Sequence, residues 1–245
     1  MIRFILVFTI LVSFSIPAAA GELTLSAGVG LKDVLNEIGN AFVQKNPAVK
    51  ILKNYAASGV LAKQLDSGAR VDMVFVANTE WMDYLKEKKH VDVSTVTPFA
   101  YNTLVFAGKG RQRATTLEEI VKLDRIAIGS PNSVPAGEYA IEALKKAGIH
   151  RQLETKLVMA RDVRECLLYA ERGEADGAFV YKIDALLSKD VAVWFAVPQK
   201  YYSQVVFLTA LTVSGVKNPE ATAFFSFLRS ADAKALLMKY GFEIR

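Results

Sequence analysis

Apolar residues recur along this chain with two alternating periods. Short runs that fit a β-strand, at 23–26, 51–56 and 72–77, are separated by segments whose apolar positions lie three and four apart. Leu31, Val34, Leu35, Ile38 and Phe42 fall at i, i+3, i+4, i+7 and i+11, which predicts a helix beginning at Leu31. Leu61 and Leu65 mark a shorter helix that Gly68 ends. The order is βαβαβ, and right-handed crossovers turn such a unit into a parallel sheet with helices on its faces. A ligand then binds beyond the carboxyl ends of the strands.

A helix around 81–88 comes next. Residues 101–107 then read as one long strand, and a capping box at Thr116 and Glu119 starts another helix. The alternation returns with a strand at 125–129, a helix lined by Ala140, Ala143, Leu144 and Ala147, a strand at 156–159, a helix at 163–169 and a strand at 177–181. The apolar run 205–214, a helix begun by Asn218-Pro219 and a last helix at 231–240 complete the chain. No sequence repeat accompanies the architectural one. A chain that enters a second unit near Tyr101 and leaves it near Val205 crosses twice, and hinged lobes close on ligands. The expected fold is therefore two-lobed α/β, each lobe a mostly parallel sheet flanked by helices, joined by two crossing strands. Lobe 1 takes 21–100 and 206–245, and lobe 2 takes 101–205.

Four strand-to-helix junctions share one chemistry: the segment 129–140, which reads Gly-Ser-Pro-Asn-Ser-Val-Pro-Ala-Gly-Glu-Tyr-Ala, and the shorter turns at 28–31, 57–61 and 160–163. The first turn of a helix has N–H groups with no partner inside the helix and carries the positive end of its dipole. An anion held there needs no charged side chain. Four such junctions suggest one converging anion site.

The first twenty residues add a destination. Arg3, an apolar stretch over 4–16 and Pro17-Ala18-Ala19-Ala20 read as a secretory signal cleaved after Ala20. The apolar stretch is short of the roughly 20 residues needed to span a bilayer. No cysteine near the cleavage point offers a lipid acceptor, so a free protein of about 225 residues is expected in its compartment. Its net charge of +5 includes Arg3, and its Lys and Arg are interspersed with Asp and Glu, without a basic tract interleaved with aromatics. That argues against nucleic acid as a partner. Cys166 is the only cysteine, so no internal disulfide forms, and with only His90 and His150 elsewhere it reads as a core residue rather than a nucleophile. Neither a Gly-x-Ser-x-Gly elbow, a HExxH motif nor a Walker loop is present, so no enzyme activity and no cofactor are expected.

The motifs 55–64 (Tyr-Ala-Ala-Ser-Gly-Val-Leu-Ala-Lys-Gln), 81–84 (Trp-Met-Asp-Tyr), 134–137 (Val-Pro-Ala-Gly) followed by Tyr139-Ala140, Asp162-Val163-Arg164, Val180-Tyr181 with Asp184-Ala185, and the ending Tyr240-Gly241-Phe242 carry a resemblance. Over its whole mature length the chain resembles the bacterial periplasmic molybdate-binding proteins, receptors of molybdate ABC transporters. The resemblance implies a periplasmic monomer that captures molybdate, and tungstate, between two lobes without a free cation and delivers it to a membrane permease. It implies anion contacts from Ser58, from the backbone N–H groups of Ala136 and Val163, and from the Tyr181 phenol. The family usually has a serine before the first helix, where this chain has Gly30, which keeps the N–H and loses the hydroxyl. Two other readings stay open: a receptor for another small oxyanion such as sulfate or a phosphate-like ion, and, because Tyr201-Tyr202 accompany Tyr181, a ferric-ion receptor. Arg161 and Arg164 flank Val163, and a solvated or lobe-bridging role fits them better than an anion clamp.

Overall fold

The computed structural model describes residues 21–110 and 113–245, so the signal peptide assigned to 1–20 lies outside the described residues. In chain order the first unit contains β1 (Glu22–Gly28), α1 (Lys32–Lys45), β2 (Lys50–Ala56), α2 (Ser58–Asp66), β3 (Met73–Val76), α3 (Thr79–Glu87) and β4 (Thr97–Asn102). The second contains β5 (Leu104–Gly108), β6 (Ile126–Gly129), α4 (Pro135–Lys146), α5 (His150–Leu153), β7 (Leu157–Ala160), α6 (Val163–Glu171), β8 (Gly177–Tyr181), α7 (Lys182–Leu187) and β9 (Ala192–Ala196). The chain then returns through β10 (Val205–Leu211), α8 (Pro219–Phe227) and α9 (Ala231–Lys239).

Two five-stranded sheets result, ordered β2-β1-β3-β10-β4 and β7-β6-β8-β5-β9. The expected two-lobed α/β architecture is present, but the sheets are mixed, with two parallel and two antiparallel pairings in each, rather than mostly parallel. In each sheet three consecutive strands are parallel, while β10 runs antiparallel to β3 and β5 antiparallel to β8. The antiparallel pairings fall on the segments that enter or leave a lobe, because a chain arriving from the other lobe approaches the sheet from its opposite end. No helix among the described residues is long and apolar enough to cross a membrane.

The crossings differ from their expected form. Residues 101–107 are not one strand: β4 and β5 belong to different sheets and break at Thr103, whose N–H donates to Oδ1 of Asn102 at 2.9 Å. The return crossing, from β9 to β10, is an irregular link holding a 3₁₀ turn at Gln199–Tyr201 rather than a strand. The helix expected at the capping box is a short 3₁₀ turn, Glu118–Lys122; the Glu119 N–H donates to Thr116 Oγ1 at 3.4 Å, while its carboxylate accepts from the N–H and hydroxyl of Thr115.

Burial follows the predicted periodicity. Leu31, Val34, Leu35, Ile38 and Phe42 are all buried against the first sheet, and Cys166 is fully buried on α6. One apolar cluster runs through both lobes, with Phe75, Phe106, Phe179, Phe207 and Phe224 as its largest fully buried side chains. A second sits under α2 and α3 and includes Ala62, Leu65, Val76, Met82 and Leu85. At Gly137 the first turn of α4 comes so close to the end of β6 that a Cβ would sit 1.8 Å from the carbonyl oxygen of Gly129. Only glycine permits that approach.

Candidate functional site

The carboxyl ends of β1, β2 and β3 face those of β6, β7 and β8 across the gap between the lobes. Each end leads into a helix start. Gly28 precedes a 3₁₀ turn, Val29–Leu31, that runs directly into α1. Ala57 is the N-cap of α2, Val134 of α4, Asp162 of α6 and Tyr181 of α7.

The local chemistry at three of these starts leaves donors uncommitted. Asp162 Oδ1 accepts from the N–H groups of Arg164 and Glu165, both at 2.9 Å, which satisfies the second and third helical positions of α6 and leaves Val163 at the first. Pro135 occupies the first position of α4, where its missing N–H costs nothing, so Ala136 carries the first N–H of that helix. Ser58 Oγ, itself buried, accepts from the Ala77 N–H at 3.0 Å. An oxygen used as an acceptor there keeps its hydroxyl proton for another partner.

Between these helix starts lies a cavity of about 20 Å³, lined from lobe 1 by Gly28, Val29, Gly30, Ala56, Ala57, Ser58, Ala77 and Phe207 and from lobe 2 by Val134, Pro135, Asp162, Val163 and Tyr181. On a scale where one water needs about 10–15 Å³, this is room for a water or a small compact ion, not for an organic solute. Four of the five residues expected at the site, Gly30, Ser58, Val163 and Tyr181, border it. Ala136 is fully buried immediately behind Pro135, and its side chain is not part of the wall.

Tyr181 is the most informative of them. Its ring packs edge-on against Phe207 from the other lobe, centroids 5.3 Å apart, and the residue is 2 % exposed. Its phenol oxygen is buried without a hydrogen-bond partner. A buried hydroxyl left unpaired costs about 1–3 kcal/mol, so this one is open to a partner that the protein itself does not supply. Burial, reinforced by Tyr139 and Asp184, pushes the phenol well above its ordinary pKa, so it stays protonated and able to donate.

The nearby arginines are held apart from the cavity. Arg164 bridges the lobes: its Nη2 donates to Asp33 Oδ2 on α1 at 2.7 Å, and its Nε lies 2.7 Å from Asp184 Oδ1 on α7, an ion pair without hydrogen-bond alignment. Asp184 is fully buried, and burial raises its pKa to about 6 against the opposing pull of Arg164. Arg161 is exposed and pairs with Glu165 at 3.2 Å. Neither arginine lines the cavity.

On the opposite rim the lobes meet through Glu138 of α4, which accepts from Trp81 Nε1 at 2.9 Å and from the Asn78 amide. The Gly59 N–H donates to the Ser133 carbonyl at 2.9 Å, and the Tyr139 hydroxyl reaches the Ala77 carbonyl at 3.3 Å. The tyrosines behind the ferric reading are not assembled: Tyr202 accepts from the Leu104 N–H, Tyr201 faces Glu118, and only Tyr181 borders the cavity. Among the described residues no group of three or more His, Cys, Asp or Glu is placed to hold a metal ion.

Residue-by-residue reading missed Phe207, which sits inside a continuous apolar run and carries no chemical signal of its own. It also missed Asp33 and gave Asp184 no role. The available signal for Asp184 was an acidic residue in the first turn after a strand that is otherwise apolar, three residues beyond Tyr181.

The profile of the family described as bacterial extracellular solute-binding protein matches residues 23–243. "Molybdate-binding protein ModA" of Escherichia coli (strain K12) is 34% identical over 236 residues, covering 93% of this chain and 91% of that one. A solved structure described as the substrate binding domain of a putative molybdenum ABC transporter from Clostridium difficile aligns with a TM-score of 0.71 at 29% identity, over 91% of this chain and 99% of that one. The Azotobacter vinelandii periplasmic molybdate-binding protein shares the fold with a TM-score of 0.81 at 18% identity, over 91% and 99% of the two chains.

Proposed function

The chain belongs to the bacterial extracellular solute-binding proteins, and from that premise we propose that it is the periplasmic receptor of an ABC transporter for molybdate, and for tungstate. The observation that carries the reading is the Tyr181 phenol, buried, protonated and unpartnered at the edge of a cavity ringed by helix N-termini. The anion ligands in this reading are the Gly30 N–H, the Ser58 hydroxyl, the N–H groups of Ala136 and Val163 and the Tyr181 hydroxyl. Each charge-assisted bond contributes about 1.5–3 kcal/mol, so several together offset the desolvation of a small dianion only when nearly all are satisfied.

The donor set also selects among oxyanions. All the proposed ligands donate, and the one carboxylate in the wall, Asp162, commits its Oδ1 to capping α6 and has its Oδ2 4.0 Å from Arg161 Nε. A fully deprotonated tetrahedral dianion suits such a site, whereas a hydrogen phosphate brings a proton that needs an acceptor. Sulfate differs from molybdate in size, because molybdenum–oxygen bonds are longer than sulfur–oxygen bonds, and the titration below separates the two.

The mechanism follows from the two-sided wall. Donors from both lobes reach the anion together only in the closed form, so binding shifts a hinge equilibrium toward closure by the affinity difference between the two states. In this reading 21–102 with 205–245 form one lobe and 103–204 the other, a shift of one or two residues from the sequence bounds because β4 and β10 pair through Tyr101, Asn102 and Val205. The mature monomer, released after Ala20, does no chemistry on its ligand, and the membrane permease takes the anion from the closed form. Calorimetric titration of the mature protein with molybdate, tungstate, sulfate and phosphate tests the reading. Tight molybdate and tungstate binding is expected. Tight binding of sulfate or phosphate with none of molybdate would overturn it.

A further inference from the structure

Three charged residues outside the cavity repeat the layout of the site at one remove. Asp33 lies three residues beyond Gly30, Arg164 directly follows Val163, and Asp184 lies three beyond Tyr181. The guanidinium of Arg164 joins them, at 2.7 Å to Asp33 and 2.7 Å to Asp184. Saturated by two carboxylates, Arg164 has no reason to serve as an anion ligand, which accounts for a cationic side chain so near an uncharged wall.

The two legs of this bridge differ in what they report. Arg164 and Asp184 both belong to the second unit, on α6 and α7, so their contact survives any rigid separation of the lobes. Asp33 is on α1 of the first unit, 131 positions away in sequence, and its contact exists only when α1 and α6 are brought together. Asp184 gains from the intra-lobe leg, because a fully buried carboxylate without hydrogen-bonded oxygens needs a neighbouring guanidinium. The Asp33 leg is therefore the closure-dependent one.

We propose that the Asp33–Arg164 pair is a latch that holds the lobes closed over the anion, with Asp33 a positioning residue that governs anion release without touching the anion. The inference rests on the oxyanion reading of the cavity. Closing the latch brings the N-terminus of α6, and with it the Val163 N–H, against the start of α1 where Gly30 lies. Side-chain exposures of 29 % for Arg164 and 41 % for Asp33 leave the pair open to solvent on one side, so salt in solution weakens it.

The test is stopped-flow kinetics of molybdate binding to the mature protein and to Asp33→Asn, with Glu37→Gln as a control. Glu37 is on the same helix but pairs with Lys239 of α9 inside the first unit, at 2.6 Å. The expected result is dissociation about fivefold faster in Asp33→Asn, the scale of a partly exposed ion pair worth about 1 kcal/mol, with association unchanged. Glu37→Gln leaves both rates as in the wild type. Raising salt from about 50 mM to about 500 mM speeds release from the wild type and not from Asp33→Asn, a readout that needs no further substitution. Equal dissociation rates and equal salt dependence in the wild type and Asp33→Asn, beside tight wild-type binding, overturn the latch alone. A wild type that binds no oxyanion overturns both the latch and the reading beneath it.

Discussion

Replacing Tyr181 by Phe separates the anion site from the core in which it is embedded. The ring contact with Phe207, centroids 5.3 Å apart, is kept, and only a hydroxyl with no protein partner is removed. In the unliganded protein that hydroxyl is a burden: an unpaired buried polar group costs about 1–3 kcal/mol, less whatever a water in the 20 Å³ cavity returns. Tyr181→Phe is therefore expected to melt no lower than the wild type and up to about 12 °C higher, since each 1 kcal/mol corresponds to about 2–4 °C in a chain of this size. In the complex the same change deletes one hydrogen bond to a dianion, worth about 1.5–3 kcal/mol, so Kd for molybdate rises about 10- to 150-fold. The opposite signs are the diagnostic, because a merely structural residue lowers both. Calorimetry gives the affinity, and differential scanning fluorimetry with and without about 1 mM molybdate gives both melting temperatures, with the ligand-induced shift shrinking with the logarithm of the lost affinity. A folded Tyr181→Phe protein whose Kd stays within about twofold of the wild type would remove the phenol from the site and refute the argument from its missing partner.

Gly30→Ser is expected to fold normally, because the new Cβ would lie 3.5 and 3.6 Å from the Asp184 oxygens and 3.7 Å from the Tyr181 ring, all ordinary contacts. Its hydroxyl adds a donor and tightens molybdate binding about tenfold; unchanged or weaker binding by calorimetry would mean that Asp184 has captured the proton. Gly137→Ala places a methyl 1.8 Å from the Gly129 carbonyl oxygen, forces the first turn of α4 off β6 and costs about 3 kcal/mol or more, read as a lower melting temperature and lost anion binding. Burial raises Asp184 to about 6, and burial with the neighbouring Glu80 raises Glu138 to about 7. A carboxyl raised on folding contributes stability that is full below its unfolded pKa near 4 and is lost as pH climbs through 6–7, so these groups favour the fold at pH 5 over pH 8. Glu138→Gln should flatten the melting-temperature profile between about pH 5 and about pH 8 by on the order of 1 kcal/mol, allowing for the solvent screening of a half-buried group; an unaltered slope would exclude Glu138 as a contributor.

Local pattern was enough to place most of the elements. The apolar spacing of Leu31, Val34, Leu35, Ile38 and Phe42 can only be buried as one helix face, and all five are buried. Pro135 and Asp162 announce the starts of α4 and α6, because one lacks an N–H and the other supplies an acceptor at the capping position. Where pattern failed, the competing structures bury the same residues. The run 101–107 is equally apolar as one strand or as two, and what divides it at Thr103 is the pairing of β4 with β10 and of β5 with β9, contacts made far along the chain. The six-residue α7 and the edge strand β9 are too short for a period to show.

The same division runs through the candidate site. Backbone donors at helix starts are fixed by local sequence, since hydrogen-bond accounting within the first turn involves only neighbouring residues, and Gly30, Ser58, Ala136 and Val163 could be named from it together with the resemblance. Tertiary structure alone decided that these starts face one another across a small cavity, that Phe207 from the other lobe packs on the Tyr181 ring, and that Arg164 is spent on Asp33 and Asp184 rather than on an anion. The physical reason is that an unpaired N–H is a property of a few consecutive residues. Desolvation of a phenol and neutralisation of a guanidinium depend on which distant surfaces exclude water together, and no local stretch of sequence records that.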